Sequence, residues 1–273
     1  MEKDMAEWQI DNGFRWRSVE PFGAEIDHDL SQPLSGPVAE RFVSLFREHH
    51  LIIARRQVLS RSAQENLLAL LGPLMLNRQN ATGFITTDMS HISATAEYPF
   101  HSDGAYTENP FEALSLHAVD VVDGASSTRF VDVEQCYQTL PPALRDQLQA
   151  HDAEMIKSTY DSVGVRAFEI RDPPAIRRDE RPAVRIHPHS NRPYLAVNEM
   201  QTTRLLGMAW EDSRALLADV FDHAYAPQNI HEHVWHQGDL VIWDNIACQH
   251  ARGSLEGAGR RVLQRVMVGG EDC

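Results

Sequence analysis

Hydrophobic and polar positions along the chain alternate with two periods, one typical of helices and one typical of strands. A spacing of three to four residues, with capping and proline signals, predicts four helices: Pro37–His50, a segment from the Ser62/Glu65 capping box to Leu71, Pro141–Leu148 and Trp210–Ala224. Short apolar or alternating runs predict seven strands: Leu51–Ala54, Leu114–Val121, Thr128–Asp132, Tyr194–Asn198, Glu232–Trp235, Asp239–Asp244 and Val262–Val268.

The order of these elements indicates the fold class. Most strands follow one another without alternating helices, and the C-terminal quarter is rich in strands. Such segregation favours a β-rich α+β protein, in which helices pack outside a β-sandwich or barrel. The chain shows no internal repeats, so a solenoid or a propeller is not expected.

Two polar segments interrupt this pattern and are predicted to be active-site loops or lids. Residues 76–99 are rich in Thr, Ser and Asn, and residues 155–185 are charged and contain several prolines. Long loops in compact domains are often functional, although an ordinary surface loop remains open for 155–185. Neither segment separates two self-sufficient units, so residues 1–273 are expected to form a single domain.

The composition limits which binding partners and which cellular compartment are expected for the protein. The net charge of −14 repels phosphate backbones, so nucleic acid is not an expected partner. The 42% hydrophobic content can fill a core, yet no apolar run is long enough to cross a membrane. A charged N-terminus and three widely spaced cysteines are typical of a protein in the reducing cytoplasm. The sequence leaves open whether the protein forms a homo-oligomer.

The candidate chemistry begins at His101 and Asp103. Alternate side chains of an extended segment point the same way, so this imidazole and this carboxylate can face one point. With the distant His250 they form a set of two histidines and one carboxylate, which is the set that holds non-heme Fe(II). The His-x-Asp triplet alone is weak, because it occurs by chance in many proteins.

The strand near the C-terminus carries two arginines. With a period of two, Arg261, Leu263, Arg265 and Met267 share one face. Buried arginines need an anion, whereas arginines on an exposed strand could pair with surface carboxylates. The apolar residues on the same face favour the interior, and therefore an anionic ligand.

These segments together resemble a known family. The quoted blocks are Phe22–Leu30, the helix that stops at Gly72-Pro73, Phe100-His-Ser-Asp-Gly104, Gly124–Phe130, Gly238–Asn245, His250 and the double-arginine strand. In these blocks the chain resembles the Fe(II)- and 2-oxoglutarate-dependent dioxygenases of the taurine dioxygenase and 2,4-dichlorophenoxyacetate dioxygenase type. The resemblance implies a double-stranded β-helix, or jelly roll, with iron at one mouth.

The resemblance also implies roles for particular residues. His101, Asp103 and His250 match the family's metal ligands. Arg261 matches the arginine that pairs with the distal carboxylate of 2-oxoglutarate, and Thr128 matches the threonine that assists it. Two further matches are Arg265, near the carboxylates or sulfonates of co-substrate and substrate, and Trp243, an aromatic residue close to the iron.

The chain departs from the family pattern in two places. The segment Gly124–Thr128 is one residue longer than the usual Gly-Gly-Asp-Thr, which puts the register of Thr128 in doubt. The segment Asn245–Gln249 replaces the usual Asn-Arg and Thr before the distal histidine, close to the expected metal.

The resemblance implies a reaction that consumes Fe(II)-bound 2-oxoglutarate and O2. The co-substrate is decarboxylated to succinate and CO2 while an unactivated C–H of a small, acidic substrate is oxidised, most simply by hydroxylation. Desaturation or oxidative decarboxylation in natural-product biosynthesis remains open. Two other classes stay open as well, namely a zinc-dependent hydrolase and a binding jelly roll without activity.

Other side chains are weaker candidates. Tyr106 and Asn198, with Phe100, are candidates to line the substrate pocket. Histidines at 231, 233, 187 and 189 could suggest further metal sites, but solvated imidazoles are the commoner case. Cys248 lies two residues before His250 and is expected to be a small core residue.

Overall fold

The chain folds into two facing β-sheets with helices on their outer sides. A computed structural model describes residues 6–75, 83–87, 96–158 and 164–269. The predicted loops at 76–99 and 155–185 therefore lie partly outside the described residues, at 76–82, 88–95 and 159–163. Within the described ranges every helix is too short or too polar to span a membrane.

The described helices are α1 (Gly36–His49), α2 (Arg61–Leu68), α3 (Val133–Thr139), α4 (Pro142–Gln149) and α5 (Trp210–Ala224). The described strands are β1 (Gln9–Asp11), β2 (Phe14–Ser18), β3 (Ala24–Ile26), β4 (Leu51–Ala54), β5 (Phe84–Thr86), β6 (Tyr98–His101), β7 (Phe111–Val121), β8 (Ser127–Asp132), β9 (Asp152–Ser158), β10 (Ala175–Pro182), β11 (Val184–Ile186), β12 (Pro193–Leu195), β13 (Thr202–Leu205), β14 (Ile230–Val234), β15 (Leu240–Asp244), β16 (Cys248–Arg252) and β17 (Arg261–Gly269). The predicted β-rich α+β class is confirmed.

Two sheets enclose the central core. The larger has the order β1-β2-β3-β4-β15-β7-β17-β5, and the smaller has the order β14-β8-β16-β6. Side chains from both sheets pack between them, among them Leu116, Trp243 and Leu263 from the larger and Phe130 and Cys248 from the smaller. Each fully buried aliphatic or phenyl side chain contributes roughly 1.5–3 kcal/mol, so this layer fixes how the sheets face each other.

The helices cover the outer faces of both sheets. Phe42, Leu45 and Phe46 of α1 pack with Ile52 and Ile242 on the outside of the larger sheet. The inward residues predicted for Trp210–Ala224 are buried in the outer layer of the smaller sheet: Leu216, Leu217, Val220 and Phe221. The predicted bounds of α5 are confirmed, and those of α1 differ by one residue at each end.

The predicted start of α2 is wrong by two residues. Ser60, not Ser62, is the N-cap, and its Oγ accepts a hydrogen bond from the Ala63 amide at 3.1 Å. Glu65 does not complete a capping box, because its carboxylate pairs with Arg61 at 2.7 Å. The helix also ends at Leu68, since the next residues form a turn.

The segment 155–185, which was predicted to be a loop or lid, contains β10 and parts of β9 and β11. Strands β9 and β10 pair antiparallel, and β13 adds a third strand. On β9, Ala153 and Met155 are buried, whereas charged residues such as Glu154 and Arg178 pair across the outer face at 2.8 Å. The exposed face is held by ion pairs, so β10 lacks the apolar alternation that would have revealed it. Whether this segment acts as a lid stays a prediction.

A buried polar network joins α1, α3 and the end of β15. His50 Nδ1 lies 3.0 Å from Asp132, and His187 Nε2 lies 3.1 Å from Asp244. Glu134, fully buried, lies within 4.0 Å of both imidazoles. Burial opposes charge on Asp244, but the hydrogen bond from His187 and its charge lower the pKa of that carboxyl. These contacts fix the end of β15 just before the chain turns towards His250.

Replacing Ser60 with alanine should lower the free energy of unfolding by about 1 kcal/mol, since a first-turn amide loses its acceptor. Chemical denaturation of Ser60→Ala and Ser62→Ala measures this. Ser62→Ala is the matched control and should lose clearly less. Equal losses in the two variants would contradict the assignment of the cap to Ser60.

Candidate metal centre

The smaller sheet brings two distant histidines side by side. On β6 and β16, His101 is the register partner of His250, and on the other side His250 pairs with Phe130 of β8. Directly opposed residues of antiparallel strands point to the same face, here the interior between the sheets. The two imidazole rings have centroids 4.2 Å apart.

Asp103 reaches the same point from a turn. The sequence predicted an extended run from His101 to Asp103, but β6 ends at His101. Asn245 holds the turn, because its Oδ1 accepts from the Asp103 amide and its Nδ2 donates to the Asp103 carbonyl, both at 2.9 Å. The same Nδ2 donates to the Phe111 carbonyl at 2.9 Å. Sequence reasoning missed this role of Asn245, although an amide directly after a predicted strand was a signal.

The three side chains form a compact donor set. His101 Nε2 lies 3.4 Å and His250 Nε2 lies 3.9 Å from Asp103 Oδ1. All three donor atoms lie within 4.8 Å of one another, and the described residues contain no second group of this kind. Two imidazole nitrogens and one carboxylate oxygen are the donors that Fe(II) takes in a facial site.

Burial and neighbouring groups favour the forms of these side chains that can bind a cation. Burial, and then the neighbouring His101, lowers the pKa of His250 to about 3, so its imidazole is neutral at pH 7. His101 Nδ1 lies 2.8 Å from the Pro99 carbonyl, to which it can donate, and this leaves Nε2 as the electron-pair donor. Burial opposes ionisation of Asp103, but the adjacent imidazoles of His101 and His250 and the guanidinium of Arg265 lower the pKa of this carboxyl well below its usual value.

Arg261 is a buried cation at the start of β17. It is 3% exposed, and its guanidinium lies 5.8 Å from the ring of Trp235. Its Nε has no hydrogen-bond partner, and no described carboxylate forms an ion pair with it. Burial, followed by the like charge of Arg252, lowers its pKa to about 9. A buried guanidinium without an anion is costly, so the site fits a ligand with a carboxylate.

Thr128 and Arg261 both contact the side chain of Trp235. Trp235 Nε1 donates to Thr128 Oγ1 at 3.0 Å, and the same indole packs against the Arg261 guanidinium. The one-residue insertion before Thr128 therefore leaves its side chain inside, where it is 3% exposed. Both side chains therefore contact one buried indole, and their roles in binding 2-oxoglutarate stay predictions.

The predicted face of β17 is interior. Leu263 and Met267 belong to the core between the sheets, so the alternative of an exposed strand is wrong. Arg265 lies between them on this face, and its Nη1 is 4.0 Å from Asp103 Oδ2. With 23% of its side chain exposed, Arg265 places a positive charge at the edge of the donor set.

Other predicted residues lie around this centre. The Trp243 ring is 5.0 Å from the His250 ring, close to the candidate metal ligands. Cys248 is fully buried in the core, as predicted, and burial raises the pKa of its thiol well above the usual value. Asn198 uses both polar atoms of its amide in bonds to Gln201, and Tyr106 packs on the outer core. Their roles in substrate binding stay predictions.

The remaining histidines serve other contacts. His233 was expected to be solvated, which is wrong, because it is fully buried with Nε2 at 3.2 Å from Asp239. Burial lowers its pKa to about 4. His187 belongs to the network around Asp244, and His231 Nδ1 contacts the Glu20 carbonyl at 3.0 Å. None of these joins a group of three metal donors among the described residues.

The sequence of this chain is similar to those of named proteins. It is 26% identical over 263 residues to the α-ketoglutarate-dependent 2,4-dichlorophenoxyacetate dioxygenase of Cupriavidus pinatubonensis, covering 88% of this chain and 91% of that protein. It is 28% identical over 181 residues to pentalenolactone F synthase of Streptomyces arenae, covering 62% of this chain but only 60% of the synthase.

Solved structures share the fold. The crystal structure of AAD-2 in complex with Mn(II) and N-oxalylglycine superposes with a TM-score of 0.77 over 95% of this chain and 98% of that chain, at 19% identity. The predicted jelly-roll core is therefore confirmed.

A family model described as taurine catabolism dioxygenase TauD, TfdA family matches residues 16–267. This match covers the smaller sheet, the larger sheet apart from β1 and the start of β2, the donor set and most of β17. The chain therefore belongs to the TauD/TfdA family and is a 2-oxoglutarate-dependent non-heme iron dioxygenase.

Proposed function

We propose that this enzyme uses its His101, Asp103 and His250 side chains to hold Fe(II), and that it hydroxylates an unactivated C–H of a small acidic substrate. The observation that carries the proposal is the pairing of this donor set with the buried, anion-deficient Arg261. Family membership favours this chemistry over the zinc-hydrolase alternative.

Different groups of the protein bind the two ends of the co-substrate 2-oxoglutarate. Arg261 binds the distal carboxylate of 2-oxoglutarate in a charge-assisted pair, and the Thr128 hydroxyl donates to the same carboxylate. An iron held by His101, Asp103 and His250 would supply the oxidising chemistry that converts 2-oxoglutarate and O2 to succinate and CO2. Neutral imidazoles and an ionised carboxylate orient the metal and leave positions open.

The position of Arg265 supports the proposal that the substrate is acidic. Its guanidinium lies beside Asp103 and is partly exposed, so it can meet an anionic group that arrives next to the metal. The name of the 2,4-dichlorophenoxyacetate dioxygenase relative also specifies a carboxylate. A cation in this position binds the substrate's acid and sets which C–H faces the iron.

The proposed substrate class is tested with pairs of small acids and their neutral amides, scored by substrate-stimulated release of succinate. Acids should stimulate release and their amides should not. Product analysis then distinguishes an alcohol from an alkene or a decarboxylated product. Stimulation by the amides alone would overturn the acidic-substrate proposal.

Removing one donor from the triad should abolish both metal binding and 2-oxoglutarate-dependent O2 consumption. His101→Ala, Asp103→Ala and His250→Ala are compared by metal content and by an oxygen electrode. His189→Ala is the matched control, since this half-exposed imidazole contacts Glu112 on the surface. Near-normal turnover in His250→Ala would show that the metal lies elsewhere.

The two arginines of β17 should separate by role. Arg261→Lys keeps the charge but loses the planar fork, so KM for 2-oxoglutarate should rise about tenfold, or roughly 1.4 kcal/mol. Arg265→Ala should raise the substrate KM while uncoupled decarboxylation of 2-oxoglutarate persists. Titrations of both compounds on both variants measure this. An unchanged 2-oxoglutarate KM in Arg261→Lys, with a large change in Arg265→Ala, would mean that the roles are reversed.

A further inference from the structure

The turn at residues 244–248 contacts the segments that carry all three metal donors. Its Asn245 holds the backbone of Asp103 through two hydrogen bonds of 2.9 Å. The Ser102 hydroxyl, which lies between the other two donors, donates to the last carbonyl of the turn at 3.2 Å. From this turn the chain continues directly into β16, which carries His250. A shift of the turn would therefore change the spacing of the donor set.

The position of His250 depends strongly on the backbone of β16. Its Nδ1 is buried and has no hydrogen-bond partner in the described part of the chain. Metal-binding imidazoles usually donate from their second ring nitrogen to a carboxylate or a carbonyl, and this bond fixes the ring. Here the ring is placed by packing against Phe130 and Trp243 and by the strand itself, which begins where the turn ends.

Asp244 shapes the turn through both oxygens of its carboxylate. Oδ1 accepts hydrogen bonds from the Ile246 and Ala247 amides at 2.9 and 3.0 Å. Oδ2 lies 3.1 Å from His187 Nε2, and within the described ranges no other hydrogen-bond donor reaches it. Asp244 is 3% exposed, so loss of this donor would leave a buried carboxylate oxygen without a partner, which is costly.

His187 presents a single tautomer to Asp244. Its Nδ1 accepts from the backbone amides of His189 and Ser190 at 3.2 and 3.1 Å. A ring nitrogen that accepts hydrogen bonds carries no proton, so the proton of this neutral imidazole lies on Nε2 and is donated to Asp244. His187 is 2% exposed, which keeps solvent away from the hydrogen bond.

We propose that His187 is a positioning residue for the metal centre. By donating to Oδ2 of Asp244 it fixes the turn at residues 244–248, and the turn fixes Asp103 and the start of the strand that carries His250. This inference rests on the proposed function, in which these side chains bind Fe(II). Because a metal ion needs its donors at set distances, loss of the His187 hydrogen bond lowers metal affinity without removing a ligand.

Two substitutions of His187 separate its donor from its acceptor. His187→Asn keeps an oxygen near the Nδ1 position, where it can accept from the following amides, but its short side chain cannot donate to Asp244. His187→Gln reaches the Nε2 position with an amide that can donate to Asp244, and it lacks the acceptor. Only the loss of the donor should affect the metal.

A third substitution removes the same hydrogen bond from its other side. In Asp244→Asn one carboxylate oxygen becomes an NH2 group, which faces either the His187 Nε2–H or the amides of the turn and cannot accept from them. This variant keeps the His187 imidazole and its two backbone hydrogen bonds. It should therefore weaken metal binding as His187→Asn does, and it reports on the same bond if His187→Asn does not fold.

Isothermal titration calorimetry with Mn(II) alone gives the Kd of each variant. His187→Asn and Asp244→Asn should bind Mn(II) about tenfold more weakly than the unaltered protein, as is usual when a partner behind a metal ligand is lost, whereas His187→Gln should match the unaltered protein. Leu217→Ala is the control for stability. Leu217 is fully buried in the outer core, so its loss should lower the midpoint of chemical denaturation but leave the Kd unchanged.

Three results would overturn the proposal. An unchanged Kd in His187→Asn and Asp244→Asn would mean that the donor set does not depend on this hydrogen bond. Equal weakening in His187→Asn and His187→Gln would mean that the imidazole is needed for its shape and not for its donor. Weakening in Leu217→Ala would mean that metal binding follows overall stability. If the unaltered protein binds Mn(II) no better than His250→Ala does, the proposed function itself fails, and this outcome is distinct from the others.

Discussion

The amide of Asn245 connects the parts of the candidate site that are furthest apart in the sequence. It bonds to both backbone polar groups of Asp103 and to the Phe111 carbonyl, and it is fully buried. The turn after β6 is thereby fixed to the segment that leads into β16. Without these three hydrogen bonds, the Asp103 carboxylate would have no fixed position relative to the paired imidazoles of His101 and His250.

The fold supports that connection from both sides. The network of His50, Asp132, Glu134, His187 and Asp244 fixes the chain just before Asn245. The core between the sheets fixes the distance from the smaller sheet to β17, which carries Arg261 and Arg265. The metal donors and the candidate anion site therefore lie on opposing sheets whose spacing is set by packing, a rigid arrangement for a ligand that must reach both.

Much of this was predictable because it follows from local periodicity. The bounds of α5, the course of β15 and the shared face of β17 follow from apolar spacing, and the sequence also predicted that His101, Asp103 and His250 come together. The N-cap was misplaced because Ser60 and Ser62 both offer a hydroxyl, and only the backbone geometry selects one. Strand β10 was missed because ion pairs rather than apolar contacts stabilise its exposed face. The position of His250 opposite Phe130 depends on the register between β16 and β8, which no single segment encodes.

The central claim is that one bound keto acid joins the triad on one sheet to Arg261 on the other. A crystal structure of the protein with Mn(II) and N-oxalylglycine tests it most directly. We predict Mn(II) bound by His101 Nε2, His250 Nε2 and an oxygen of Asp103, with the far carboxylate of N-oxalylglycine paired to the Arg261 guanidinium. Mn(II) bound away from these three residues, or a far carboxylate that leaves Arg261 without an anion, would contradict the account.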